Sequence, residues 1–545
     1  MASAEVDRAG EGQQMVINRE GALTAEVVPV LNGVEQAFFA HKKHLEQGPR
    51  IVTRASAVFY FRSTPGKEGV RTQVHFLNYW REKSGLVSLT QRLTLRTLEG
   101  ETFLVNQSLI EGRGGHVLEV DELLAQSADS PTEGSIEIEF LSETSLGMAY
   151  PALVVRYVGH DWHTLAHSCQ RFYSESSADD HVGELQLAEE GNITIQEDAG
   201  IEPFLFVHNG PSAVEARPIE IDIIAEDGRR FSSMTDPIDW RPFQTRQLLL
   251  RDLVEYREFL AGQRGTFSIR LVLAGVFPRL IGGQERSGTW SIDHTNFSAI
   301  AGAAAQDVIQ VSPDPDHREL VFNVPNNLDE DWHCFVDIYP TYPEDDGYTI
   351  EVRTIDKLGK TVVARDIALA RFGDQSFPRI TVDNTASGRE TTLSLTYRHQ
   401  SSLPRRFHTG IHYQIGEGLP GFLTDGPMPA SSGSSRTHWF PVFEQPDSRN
   451  FLLVSNLSSG NEQQYAVTYD CLLFNIFGDD PLEEVFRLEA FEQKCLPLND
   501  LIPDANGFLR DGPGWVYMVA REPQRAVLHY ASVRGQDSIA VCHAF

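Results

Sequence analysis

The 545-residue sequence has few cysteines, few tryptophans and no long hydrophobic run. Its five cysteines are odd in number and form no CxxC pair, which excludes a disulfide framework and permits a reducing compartment. No apolar run reaches the roughly 18–20 residues that a membrane-spanning helix needs. Residues 1–12 carry Glu5, Asp7 and Glu11 where a signal peptide would have an apolar core. We therefore expect a cytoplasmic protein without membrane insertion, unless a leaderless route exports it.

Basic residues are also scarce. The chain has 46 Lys and Arg against 76 Asp and Glu, a formal net charge of −30. Such a surface repels phosphate backbones, so we expect no nucleic-acid binding. It suits solubility, or association with cations or basic partners.

Local catalytic motifs are missing as well. The sequence has no GxSxG, no HExxH, no GxxxxGK[ST] and no GxGxxG that opens a helix. Their absence favours a protein that is not an enzyme, although a catalytic site assembled from distant residues would leave no local motif.

Strand signals are what the sequence does contain. Residues 89–96 and 134–140 alternate apolar and polar side chains, which is typical of half-buried strands. Four landmarks (an Asn or Asp, a turn Gly, a later Gly and a His) recur in one order. The four sets are Asn78, Gly100, Gly134 and His167; Asn209, Gly228, Gly265 and His294; Asp337, Gly359, Gly388 and His412; and Asn456, Gly478, Gly514 and His543.

A repeat of about 120–130 residues indicates whole domains in tandem rather than short solenoid units. Each copy has about seven strand signals, which is typical of a two-sheet sandwich. We predict an all-β protein of four tandem immunoglobulin/fibronectin-III-like β-sandwich domains with a short N-terminal arm. The predicted bounds are 1–52 for the arm and 53–176, 177–303, 304–420 and 421–545 for the sandwiches.

The four recurrent histidines are the most distinctive candidates for chemistry, because neutral imidazole binds Zn, Cu, Fe or Ni. The candidate ligands of a divalent metal are His294 with Asp293, His408 with His412, and His163 with His167. Residues four apart on a strand share a face but lie about 13 Å apart, too far for one ion. A site built from all four copies would require the domains to surround a common centre. The alternative is a framework role for each histidine, which recurrence across the copies favours.

Tryptophans near loops or strand starts suggest a second kind of site. Trp80, Trp162 and Trp290 could form an aromatic platform for a carbohydrate, or they could pack inside the protein.

Three functions remain open on the sequence. The first is a non-enzymatic β-sandwich scaffold or binding protein, with a protein partner or self-association in an oligomeric assembly. The second is a metal-binding protein or metal-dependent enzyme that uses the histidines at the repeat ends. The third is a carbohydrate-binding protein.

Overall fold

The structure is a computed structural model. It describes residues 52–543, with gaps at 67–68, 87, 127–129, 147–150, 168–169, 174–184, 197, 199, 276–279, 301–307, 311–318, 325–331, 340–348, 357, 369–378, 382–390, 399–401, 405–408, 426–427, 430–434, 444–446, 458–464 and 525. The predicted arm, except Val52, and the candidate ligand His408 lie outside the described residues.

The first part of the chain forms eight strands and two short helices. They are β1 (Arg54–Arg62), β2 (Arg71–Leu77), α1 (Tyr79–Ser84), β3 (Leu89–Thr97), β4 (Thr102–Ile110), β5 (Gly115–Glu119), α2 (Val120–Leu124), β6 (Glu133–Leu141), β7 (Leu153–Val158) and β8 (His163–His167).

The second part adds eleven strands and two helices. They are β9 (Leu185–Ile195), β10 (Glu202–His208), β11 (Val214–Arg217), β12 (Glu220–Ala225), β13 (Arg230–Met234), β14 (Ile238–Trp240), β15 (Thr245–Leu249), α3 (Leu250–Leu253), α4 (Arg257–Leu260), β16 (Gly265–Ala274), β17 (Ile281–Arg286), β18 (Thr289–His294) and β19 (Asn296–Ile300).

The third part contributes strands without a helix among its described residues. They are β20 (Val308–Gln310), β21 (Glu319–Val324), β22 (Trp332–Ile338), β23 (Thr349–Asp356), β24 (Thr361–Ala368), β25 (Arg379–Thr381), β26 (Thr391–Arg398), β27 (Ser402–Pro404), β28 (Thr409–Ile415), β29 (Gly421–Asp425) and β30 (Met428–Pro429).

The fourth part, like the first, has eight strands and two short helices among its described residues. It forms β31 (Ser435–Phe443), β32 (Ser448–Ser455), β33 (Val467–Asn475), β34 (Leu482–Leu488), β35 (Gln493–Pro497), α5 (Leu498–Leu501), α6 (Ala505–Leu509), β36 (Pro513–Gln524), β37 (Val527–Arg534) and β38 (Ser538–His543).

The sequence specifies these strands through apolar side chains at every second residue, which an extended chain places on one face. β33 buries Val467, Tyr469, Cys471 and Leu473, every second residue, because successive side chains point to opposite faces of a sheet. The turn glycines are also determined by local backbone conformation. Gly100, Gly228, Gly359 and Gly478 separate equivalent strand pairs and have φ of 90°, 88°, 76° and 78°, a region in which glycine has no Cβ to clash.

The strands form small antiparallel sheets, which confirms the prediction of an all-β protein. Four sheets share one layout, and we call them the ring sheets: β5-β2-β7-β8, β15-β10-β17-β18, β25-β22-β28-β29 and β35-β32-β37-β38. Four others, the companion sheets, are β1-β6-β3-β4, β19-β9-β16-β12-β13, β30-β21-β26-β23-β24 and β31-β36-β33-β34. β29 pairs with β28, so the third ring sheet continues past residue 420, the predicted end of the third sandwich.

The apolar core crosses the boundaries between the four parts. One buried cluster joins Phe61 of the first part, Phe206 of the second and Trp439 of the fourth. Within it the rings of Tyr60 and Phe206 stack with centroids 4.2 Å apart. A second cluster joins the third and fourth parts through residues such as Tyr413 and Val541. The parts are therefore closely packed rather than strung out.

The helices among the described residues are short, and none is long and apolar enough to cross a bilayer.

Candidate metal centre

The last strands of the four ring sheets meet one another around a common centre. β8 contacts β18 and β38, and β29 contacts the same two strands, so the four strands close a ring. Polar side chains form hydrogen bonds between adjacent strands of this ring. Thr164 Oγ1 accepts a hydrogen bond from the Ile292 amide at 3.0 Å, and Ser538 Oγ accepts one from the His163 amide at 3.1 Å.

The ends of these strands bring the recurrent histidines together. β8 ends at His167, β18 at His294 and β38 at His543, while β29 ends at Asp425. The residue two before each end shares its face of the strand and is buried and aliphatic in every case. These residues are Leu165, Ile292, Leu423 and Val541, exposed by 0%, 1%, 0% and 2%. The backbone register thus places residue 425, an aspartate, at the fourth equivalent position.

His167, His294 and His543 form one compact cluster. One nitrogen from each lies within 4.8 Å of the others. The Nε2 atoms of His294 and His543 are 3.5 Å apart. The ring of His167 meets the other two edge to face, with centroid distances of 4.4 Å to His294 and 4.2 Å to His543. His167 and His294 are buried, and His543 is half-buried.

A thiol orients one of the three imidazoles. Cys542 Sγ lies 3.0 Å from His167 Nδ1. Burial, with the nearby charge of Asp293 second, raises the pKa of the Cys542 thiol well above its usual value. For His167 Nε2 to offer a free lone pair to an ion, Nδ1–H must donate to the Cys542 sulfur, which is a weak acceptor. A partner on the second nitrogen is the usual way in which proteins fix the orientation of a ligating histidine.

Asp293 does not join the cluster, because adjacent residues on a strand point to opposite faces and His294 is its neighbour on β18. Its Oδ2 accepts hydrogen bonds from the Thr424 amide at 2.6 Å and the Thr424 hydroxyl at 3.1 Å. The same hydroxyl lies 2.8 Å from the carbonyl oxygen of His294. Asp293 therefore ties β18 to β29 and supports the strand that carries His294.

Replacing Thr424 by valine is expected to lower the free energy of unfolding by about 1–3 kcal/mol, because the buried acceptors of its hydroxyl, the His294 carbonyl and the Asp293 carboxylate, lose that donor without a change in shape. Thr424→Ser, which keeps the hydroxyl, is the matched control and is expected to retain most of the stability. Guanidinium denaturation of both variants measures the difference. Equal stability of the valine and serine variants would contradict this role.

The other predicted ligands lie elsewhere. His412 is on β28, where its Nε2 is 3.1 Å from Asp337 Oδ2 and its ring stacks on Phe335. His163 is at the start of β8, where its Nδ1 accepts a hydrogen bond from Arg156 and its Nε2 is 2.9 Å from the carbonyl oxygen of Ser532. The structure brings neither to the cluster.

The three candidate sugar-binding tryptophans are buried. Trp80, Trp162 and Trp290 are exposed by 2%, 7% and 2%. Trp80 stacks on Tyr79 with centroids 4.5 Å apart, and Trp162 lies 6.1 Å from Trp290. A sugar platform needs a ring face open to solvent, which none of these three side chains offers in the chain.

His543 and Cys542 are the residues that sequence reasoning did not select. His543 was one of the four recurrent histidines, and its recurrence was the only signal for it. Cys542 and His167 belong to different parts of the chain, so no local sequence pattern links them. Only the folded chain brings Cys542 Sγ to 3.0 Å from His167 Nδ1.

Comparison of the chain with protein-family models and with curated proteins gives no match.

Proposed function

We propose that the protein is a non-enzymatic, metal-binding scaffold. In this proposal four tandem immunoglobulin/fibronectin-III-like β-sandwiches, each made of one ring sheet and one companion sheet, surround a divalent transition-metal ion held by His167, His294 and His543. The observation that carries the proposal is the convergence of three imidazoles from three different sandwiches.

One nitrogen–nitrogen distance in the cluster is close to the spacing around a bound ion. A tetrahedral zinc ion bound at about 2.0–2.1 Å keeps neighbouring nitrogens about 3.3–3.4 Å apart. The observed separation of His294 Nε2 and His543 Nε2 is 3.5 Å. We assign His167 Nδ1 to the Cys542 thiol and Nε2 to the ion.

The location of the cluster supports a structural role for the ion. Its ligands come from β8, β18 and β38, the three strands that bring the first, second and fourth parts of the chain together. An ion bound to all three would link parts of the chain that are distant in sequence. Because the ion binds the folded chain better than the unfolded one, it would add to the free energy of unfolding by mass action.

Replacing any one of the three histidines by alanine is expected to lower the affinity for Zn²⁺ and Co²⁺ by at least about 100-fold, because two imidazoles cannot complete the site. Elemental analysis after dialysis measures the stoichiometry, expected to be one ion per chain for the original sequence. Titration with Co²⁺, followed by its visible absorption, measures the affinity.

His333→Ala is the matched control, since His333 is an exposed histidine outside the cluster. It is expected to bind one ion with unchanged affinity. Full-length protein with sub-stoichiometric metal after loading, or cluster variants that bind like the control, would refute the proposal. Circular dichroism at low temperature establishes that each variant is folded.

A further inference from the structure

Among the described residues, β4 is the edge strand of the first companion sheet. It pairs with β3 on one side and is the last strand of its companion sheet. Its nine residues, TFLVNQSLI, contain neither a charge nor a proline. Two of its side chains, Val105 and Leu109, are exposed by 51% and 57%. A long, uncharged and partly apolar edge strand presents unpaired backbone groups to any strand that can join it.

The other companion sheets provide an internal comparison. Their equivalent edges are β13, β24 and β34, which also follow the turn glycines. β13 carries Arg230, β24 carries Arg365 and Asp366, and β34 carries Glu483, Glu484 and Arg487. Charges on an edge oppose pairing with another sheet. Among the four equivalent edge strands only β4 has no charged residue. β4 therefore lacks the charges that keep its counterparts from pairing with a strand of another molecule.

We propose that β4 pairs antiparallel with β4 of a second copy of this chain. The two companion sheets would then become one continuous sheet across a two-fold axis, an arrangement in which the same strand serves both subunits. A basic partner is the main alternative for a chain of net charge −30. It would find no carboxylate on β4, whereas an identical uncharged strand meets no charge mismatch.

The side chains of β4 suit this pairing. β4 is regular after the irregularity at Phe103. Around a two-fold axis through Gln107, the exposed Val105 lies opposite the exposed Leu109 of the second copy. Facing apolar side chains stabilise antiparallel strands. Two chains of charge −30 also repel each other at long range, and salt screens that repulsion. The pairing should therefore strengthen as salt is added, the opposite of a contact made by ion pairs.

Sedimentation velocity of the full chain at about 0.02 M and about 0.5 M salt tests the proposal. We expect a reversible dimer of twice the 60.9 kDa chain mass, with tighter association at the higher salt. Val105→Lys and Leu109→Lys should each raise the dissociation constant at least tenfold. The matched control is Val485→Lys, since Val485 is exposed by 57% on the equivalent edge β34; it should dimerise like the original chain.

Hydrogen exchange gives an independent measurement, because the outward amides of β4 should be protected only at concentrations that give dimer. A chain that stays monomeric at all concentrations would overturn the proposal, and so would dimers that both β4 lysine variants leave unchanged. The result does not depend on metal binding, since the same experiment with a chelator should give the same association.

Discussion

Lowering the pH from 7.5 to 5 is expected to remove about 10 kcal/mol from the free energy of unfolding, enough to unfold the protein at room temperature. The cause is a set of histidines that the fold holds neutral. Burial lowers the pKa of His208 to about 3 and those of His116 and His438 to about 4. Burial, assisted by Arg156, also lowers the pKa values of His75 and His163 well below 6.5.

The sign follows from proton binding. In the unfolded chain these histidines take up protons below about pH 6.5, whereas the folded chain excludes those protons until the pH is far lower. Their contribution to stability is therefore complete above pH 6.5 and is lost as the pH falls. At pH 5 the loss is about 2 kcal/mol for each histidine, or about 10 kcal/mol for the five.

Guanidinium denaturation at a series of pH values measures this loss. These five histidines contribute a slope of about 7 kcal/mol per pH unit near pH 5. The uptake on unfolding should be at least about five protons, because burial also lowers the pKa of His529 to about 3. His208→Asn should reduce the uptake by about one proton. Stability that stays flat between pH 7 and pH 5 would contradict this account.

Replacing Asp337 by alanine is expected to cost about 3–5 kcal/mol of stability, because it removes the anion from a buried ion cluster. The Asp337 carboxylate is fully buried. It accepts two hydrogen bonds of 2.7 Å from Arg379 and one of 3.1 Å from Arg264. Thr194 donates a further hydrogen bond of 3.1 Å from β9. The cluster therefore joins the second and third parts of the chain.

The sign of its pH dependence distinguishes this cluster from the histidines. Although burial opposes ionisation, hydrogen bonds from Arg379 and His412 hold the pKa of Asp337 well below its usual value. Its contribution is complete above about pH 4 and is lost only in stronger acid. Asp337→Ala should therefore not reduce the loss between pH 7.5 and pH 5, because the Asp337 carboxylate also raises the pKa of the buried His412.

Asp470→Ala is the matched control for Asp337→Ala. Asp470 pairs with Arg521 at 2.6 Å, but both side chains are about half exposed, so the expected loss is below about 1 kcal/mol. Thermal unfolding of the two variants compares a buried cluster with a surface pair directly. Similar losses in the two would show that the Asp337 cluster does not stabilise the fold in the way we describe.

Those features of the fold that depend on neighbouring residues were predictable from the sequence. Gly100, Gly228, Gly359 and Gly478 mark turns because each follows an alternating strand, and each adopts the positive φ that such a turn uses. The alternation itself reports the buried face of strands such as β33. Both signals act over a few residues, so no knowledge of the tertiary arrangement is needed.

The third copy shows where counting landmarks fails. Asn78, Asn209 and Asn456 each follow the end of a strand, whereas Asp337 lies inside β22. His412 therefore falls on β28, one strand before the ring strand β29, and pairs with Phe335. The sequence of that copy is the most divergent, and only the strand register identifies residue 425 as the counterpart of the three clustered histidines.

The convergence of the histidines was beyond local reasoning for a different reason. A strand pattern determines which residues share a face, but it does not determine how four separate parts of a chain pack against one another. The tryptophans illustrate the same limit, since Trp80 and Trp290 lie near loops in sequence and are nevertheless buried. Trp290 packs near Tyr60 of the first part. Whether a tryptophan is exposed, and whether distant histidines meet, depends on how the parts of the folded chain pack together.

X-ray absorption at the zinc edge of the zinc-loaded, full-length protein tests the central claim most directly. We expect one zinc ion per chain with three imidazole nitrogens at about 2.0–2.1 Å and no sulfur ligand, because Cys542 contacts His167 Nδ1. The His294→Ala variant should lose this signal, and His333→Ala should keep it. A zinc ion surrounded only by oxygen, or one bound to sulfur at about 2.3 Å, would contradict a centre formed by His167, His294 and His543.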